Sequence, residues 1–272
     1  MAVGLALILT GCAGQVSFPN ATPGAPLTIP GRIYRAEGPG PFPALVLLHS
    51  CAGVSSRTRR WGRWLREHGY VALVVDSLSP RGFDELCTFD GSDIEPTARF
   101  DDALGALRYL QSLPFVDPRR VAVMGWSHGG VFAIAVINAP SLARARGRGV
   151  VLPSIGFRAS VGIYPGGCFS LVDELVVAPL LVLVGGADDW TRPEPCVAMV
   201  EEMKKKGADV SIKVYPGAYH YFDVPEQPLT MLPDVANRNK PGECCGATVG
   251  FHPEAATDAF RTVEAFLARY LR

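Results

Sequence analysis

Short runs of aliphatic residues alternate along this chain with segments whose apolar side chains recur every three or four positions. Ala44–Leu48, Val71–Val75, Val121–Met124, Ala159–Ile163 and Leu180–Val184 are almost wholly apolar, as strands buried on both faces must be. Val210–Tyr215 alternates apolar with polar residues and predicts a strand nearer a sheet edge. Between these runs, Trp61, Trp64, Leu65 and His68 share one helical face, with Gly69 placed to end the helix. Phe100, Ala103, Leu104, Leu107 and Leu110 repeat the pattern, as do Phe260, Val263, Leu267 and Tyr270. Thr191-Arg192-Pro193-Glu194 predicts a capping box opening a helix that runs to about Lys206. Strand–helix alternation of this kind demands a mostly parallel central sheet with helices on both faces. Chemistry in such sheets belongs beyond the carboxyl ends of the strands.

One motif falls at such a place. Gly125-Trp126-Ser127-His128-Gly129 directly follows the strand 121–124 and directly precedes an apolar helix over 131–138. A serine there sits on a tight strand-to-helix turn, the nucleophile elbow of the α/β-hydrolase fold, and the glycines relieve crowding around it. A serine hydroxyl needs a base within hydrogen-bond reach. Of the five histidines, His220 follows the last strand in Tyr215-Pro216-Gly217-Ala218-Tyr219-His220, after both serine and acid in chain order. The acid comes from Gly185-Gly186-Ala187-Asp188-Asp189 after the strand 180–184. Asp188 is the better placed, with Asp189 left to cap the turn or begin the helix. Asp188 would fix the imidazole tautomer and stabilise its charged form. Two backbone amides are needed for an oxyanion, and the expected pair is His128, after the nucleophile, and Cys51, in the loop His49-Ser50-Cys51-Ala52-Gly53.

The amino terminus carries a separate message. Residues 1–11 are an apolar run ending in Leu9-Thr10-Gly11, followed by Cys12. This is too short for a bilayer span of about 20 residues, and it has the form of a secretory leader. Its ending resembles the bacterial lipoprotein box, which implies lipidation at Cys12, export and a membrane anchor. Ala13 at the next position points to the outer membrane. Residues 12–30, with Pro19, Pro23, Pro26 and Pro30, then predict an extended tether, leaving 31–272 as the catalytic domain. With Cys12 set aside, Cys51, Cys87, Cys168, Cys196, Cys244 and Cys245 form an even set suited to disulfides, with the pairing open. No Cys-x-x-Cys or His-x-x-x-His spacing occurs, so neither metal nor cofactor is expected. Lys plus Arg equals Asp plus Glu at 26 each, so no net field invites nucleic acid.

Four stretches together resemble the dienelactone hydrolase family: Leu48–Gly53, Val123–Gly130, Gly186–Thr191 and Tyr215–Phe222. The likeness extends from about Ile33 to Leu271. It implies a Ser127–His220–Asp188 triad and a small ester or lactone substrate. The family's name-giving enzymes use a cysteine nucleophile and hold a substrate carboxylate with arginines, one shortly after the histidine. Here Ser127 replaces the cysteine, and Tyr221-Phe222-Asp223 offers no arginine, so Arg81 is the candidate for the pocket. The expectation is a serine hydrolase of carboxylic esters or lactones. Its rivals are a peptidase of the same fold and a non-catalytic surface lipoprotein, the latter opposed by an intact triad.

Overall fold

The computed structural model describes residues 13–88, 97–171, 175–240, 242 and 244–272. Residues 1–11 and Cys12 therefore lie outside the described residues. Eight strands form one sheet in the order β1-β2-β4-β3-β5-β6-β7-β8. They are β1 (Gly14–Pro19), β2 (Thr28–Tyr34), β3 (Phe42–Leu48), β4 (Val71–Val75), β5 (Val116–Trp126), β6 (Ser160–Ile163), β7 (Leu180–Gly185) and β8 (Val210–Tyr215). From β4 through β8 every pairing is parallel, while β1–β2 and β2–β4 are antiparallel. The α/β-hydrolase arrangement expected from the strand–helix alternation is the one observed. β8 is an edge strand, in line with its polar alternation.

The helices are α1 (Ser56–Glu67), α2 (Ala98–Ser112), α3 (His128–Ala135), α4 (Ala139–Gly147), α5 (Pro193–Lys205) and α6 (Pro253–Leu271). Successive strand residues point to opposite faces, and this sorts the core into two layers. Val46 and Leu48 of β3 pack with Leu104, Leu107 and Met199 from α2 and α5. Leu45 and Leu47 pack with Trp61, Leu65, Val263 and Leu267 from α1 and α6. A short ribbon, β9 (Thr230–Leu232) with β10 (Ala247–Val249), is bridged through Val249 to His220 in the loop after β8.

The amino-terminal segment departs from expectation. Residues 14–19 are no tether: they pair along their length with β2, and Phe18 is buried in the core. Prolines at the ends of a hairpin are compatible with an edge strand, and they sit at Pro19, Pro23, Pro26 and Pro30 around that turn. The folded domain thus begins at about Gly14, within two residues of Cys12.

Candidate active site

β5 ends at Trp126, and the chain turns at Ser127 before α3 begins at His128. Ser127 has φ 52°, a conformation that strains any side chain. A methyl added at Gly125 would meet the Gly129 carbonyl, and one at Gly129 would meet the carbonyls of Leu48 and His49. Those two glycines let the elbow close against β3. Ser127 is 5% exposed and lines the main cavity.

The residues expected to be base and acid, His220 and Asp188, come from the loops after β8 and β7. His220 Nδ1 and Asp188 Oδ2 are 2.7 Å apart, and both side chains are fully buried. Asp188 also accepts from the Trp190 and Thr191 amides at 2.9 and 2.8 Å and from the Thr191 hydroxyl at 3.0 Å. The Thr191 oxygen lies 3.1 Å from His220 Nδ1 as well. Thr191 therefore does not cap α5, whose N-cap is Arg192; its hydroxyl steadies the acid–base pair. Asp189 instead takes the Thr248 amide and hydroxyl at 2.7 and 3.0 Å. The other ring nitrogen, His220 Nε2, is buried with no hydrogen-bond partner, so Ser127 is not donating to it in this state. Apo hydrolases commonly show this link open.

Behind His220 lies a polar cluster that sequence patterning missed. Asp223, fully buried, accepts from the indoles of Trp61 and Trp126 at 3.0 and 3.1 Å and from the Tyr164 hydroxyl at 2.6 Å. Arg57 donates to that same hydroxyl at 2.7 Å. The cluster joins the elbow strand, through Trp126, to the histidine loop. Tyr164 at φ 36° and Tyr221 at φ 64° join Ser127 as the non-glycine residues with positive φ among those described. Both rings pack against His220, at 4.4 and 5.0 Å between centroids. Such strain persists only where surroundings over-determine it.

The loop after β3 is held as tightly. Cys51 is disulfide-bonded to Cys87, and its carbonyl accepts from the Leu86 amide at 2.8 Å. His49 is fully buried, with Nδ1 2.6 Å from the Ser50 carbonyl and Nε2 accepting from the Ser77 amide at 3.2 Å. That pairing requires neutral imidazole. Burial first, and the Arg99 charge second, keep its pKa well below the usual 6.5. The same two causes hold His128 down at about 3. The remaining cysteines pair as Cys168–Cys196 and, as neighbours, Cys244–Cys245.

A cavity of about 1280 Å³ opens over Ser127 and His128. Phe100, Val131, Phe132 and Trp190 give it an apolar wall, and its charged lining among the described residues is Arg144, Arg148, Arg192 and Arg238. Arg81 is not part of this lining. It grips the buried Asp102 through two 2.9 Å hydrogen bonds, which draws it away from the pocket and replaces the role expected for it.

Residues 29–271 match the model of the dienelactone hydrolase family. Among solved structures, a dienelactone hydrolase-like promiscuous phosphotriesterase from metagenomic libraries superposes with TM-score 0.68 at 18% identity, covering 96% of this chain and 100% of that one. A dienelactone hydrolase from Anabaena variabilis gives 0.64 at 16%, over 96% and 99%. Thermogutta terrifontis esterase 2, captured phosphoramylated by tabun, gives 0.63 at 17%, over 96% and 95%. These likenesses carry the fold, and the family match covers most of the chain. With the elbow, the paired His220 and Asp188 and the strand order in place, the chain belongs to the dienelactone hydrolase family.

Proposed function

We propose that this protein hydrolyses carboxylic esters or lactones through an acyl-enzyme on Ser127. The observation that carries the reading is the unpartnered, buried Nε2 of His220, whose other nitrogen is committed to Asp188. That nitrogen is left free to take the proton of the serine. Ser127 Oγ attacks the acyl carbon, its proton passes to Nε2, and the carbonyl electron pair moves onto oxygen. The amides of Cys51 and His128 receive that oxyanion. Collapse breaks the bond to the alcohol, which leaves with the proton from His220, and water repeats the sequence to free the acid. The apolar wall of Phe100, Val131, Phe132 and Trp190 favours a largely apolar acyl group. Nitrophenyl esters of graded chain length test this. Ser127→Ala should abolish turnover of all of them with folding intact, and the longer acyl chains should show the higher kcat/KM. Turnover surviving in Ser127→Ala would remove the assignment.

Its address is a second proposal: a lipid anchor at Cys12 on the outer side of a membrane. The Leu9-Thr10-Gly11-Cys12 ending supports it, as does the pairing of the six other cysteines, which suits an oxidising compartment. The domain would then sit against the lipid surface rather than on a long tether. Cys12→Ser should release the protein from membranes with specific activity unchanged.

A further inference from the structure

One buried charge beside the site has no part in the hydrolytic steps above. Arg99 lies in the first turn of α2 with no exposed surface. One Nη donates to the His49 carbonyl at 2.5 Å, and the guanidinium stands 5.4 Å from the Phe132 ring centroid. Its Nε and its other Nη have no hydrogen-bond partner. Asp102 favours its charged form but is already occupied by Arg81 and by Asn20 at 3.1 Å. Burial pulls the Arg99 pKa down to about 10, still charged at neutral pH. A buried cation with two donors lacking protein partners is costly, and buried polar groups left unpaired call for an explanation.

Its position supplies one. Arg99 touches the carbonyl two residues before Cys51, and it packs on Phe132, in the helix that His128 begins. The field of Arg99 depresses both His49 and His128, so the charge is felt at both ends of the oxyanion site. It does not line the cavity and so acts without touching substrate.

We propose that Arg99 is a positioning residue of the oxyanion site, pinning the His49–Cys51 loop and setting a fixed positive charge behind the oxygen that turns negative. This rests on the acyl-enzyme reading above. In the resting enzyme the charge is poorly compensated. When Ser127 bonds to the acyl carbon, the new oxyanion supplies the missing negative charge, and collapse removes it again. An interaction made chiefly in the transition state raises kcat rather than lowering KM.

Three substitutions separate charge from anchoring: Arg99→Lys keeps charge, Arg99→Gln keeps a donor without charge, and Arg99→Met keeps neither. The full chain is assayed with p-nitrophenyl butyrate and inhibited with phenylboronic acid, which forms an anionic tetrahedral adduct on an activated serine. Gln and Met should each lower kcat about 10- to 100-fold with KM within about threefold. The boronate Ki should rise in the same proportion, and Lys should recover most of both. If Met does not fold, the Lys–Gln pair carries the same contrast. A Gln variant equal to wild type overturns the charge, and a rise in KM with kcat intact overturns the transition-state role. A wild type that neither hydrolyses the ester nor reacts at Ser127 removes the acyl-enzyme reading itself, and this inference with it. An active wild type with an indifferent Gln or Met variant removes this inference alone.

Discussion

The proposed base side and oxyanion side of the site differ in how their buried charges are satisfied. On the base side the carboxylates are richly satisfied. Asp188 takes two amides, a hydroxyl and the imidazole, while Asp223 takes two indoles and a phenol. On the oxyanion side the charge is positive and under-satisfied, with two of the Arg99 nitrogens unpaired and both neighbouring histidines held neutral. A half with its negative charge already in place can stabilise an imidazolium as it forms. On the other side the nearby carboxylate, Asp102, is engaged by Arg81 and Asn20. On the acyl-enzyme reading, Arg99 there is left to meet a charge that arrives.

The sharpest way to break this comparison is to disable one half's charge. Asp188→Asn should cost about 10³- to 10⁴-fold in kcat, because the amide no longer fixes or stabilises the imidazole. Asp189→Asn, which touches the Thr248 anchor instead, should cost about tenfold at most. Steady-state kinetics that reverse the two would reassign the acid. Next in size, Asp223→Asn should lower stability by roughly 3 kcal/mol in urea titration, since at least one of its three converging donors loses its acceptor in a buried network. Its kcat, for whatever protein folds, should fall far less than that of Asp188→Asn. Equal losses would make the cluster part of the chemistry rather than its frame.

On the other side, Cys87→Ser frees the Cys51 loop from its tether. The expected result is a fall in kcat of about tenfold, near 1.4 kcal/mol, with KM little changed. Mild reduction of the wild type should mimic it, and indifference to both would mean the Leu86 amide and Arg99 suffice. A further effect is spread over pH. His49 and His128 have folded pKa values below the ordinary 6.5. The unfolded chain therefore takes up protons that the folded chain refuses as pH falls below about 6.5. Stability should be fullest above that value and decline toward pH 5 by up to about 1.4 kcal/mol per pH unit for each histidine. A His128→Gln chain should show a shallower decline, and parallel slopes would contradict the neutral state of His128.

Much of this was legible in the residues, and the exceptions have physical causes. Apolar strand runs and the elbow glycines follow from periodicity and local sterics, which sequence carries openly, while the order Ser127, Asp188, His220 rests on the α/β-hydrolase architecture. Arg99 gave no signal in the sequence, because α2 is buried almost all round and a lone polar residue there carries no periodic pattern. Thr191 read as a helix cap because capping chemistry and hydroxyl donation to an aspartate use the same residue type. The Pro-rich amino terminus read as a tether because Val16 and Phe18 alternate over too few positions to outweigh the prolines. Arg81 and Asp223 depend on partners far along the chain, Asp102 and Trp61, and no local pattern announces such pairs.

The central claim, a serine activated by the His220–Asp188 pair, is tested most directly by a fluorophosphonate probe followed by peptide mapping. The account predicts one adduct per chain, on Ser127, absent in Ser127→Ala and formed far more slowly in Asp188→Asn. An adduct on any other residue, or labelling that survives Ser127→Ala, would contradict it.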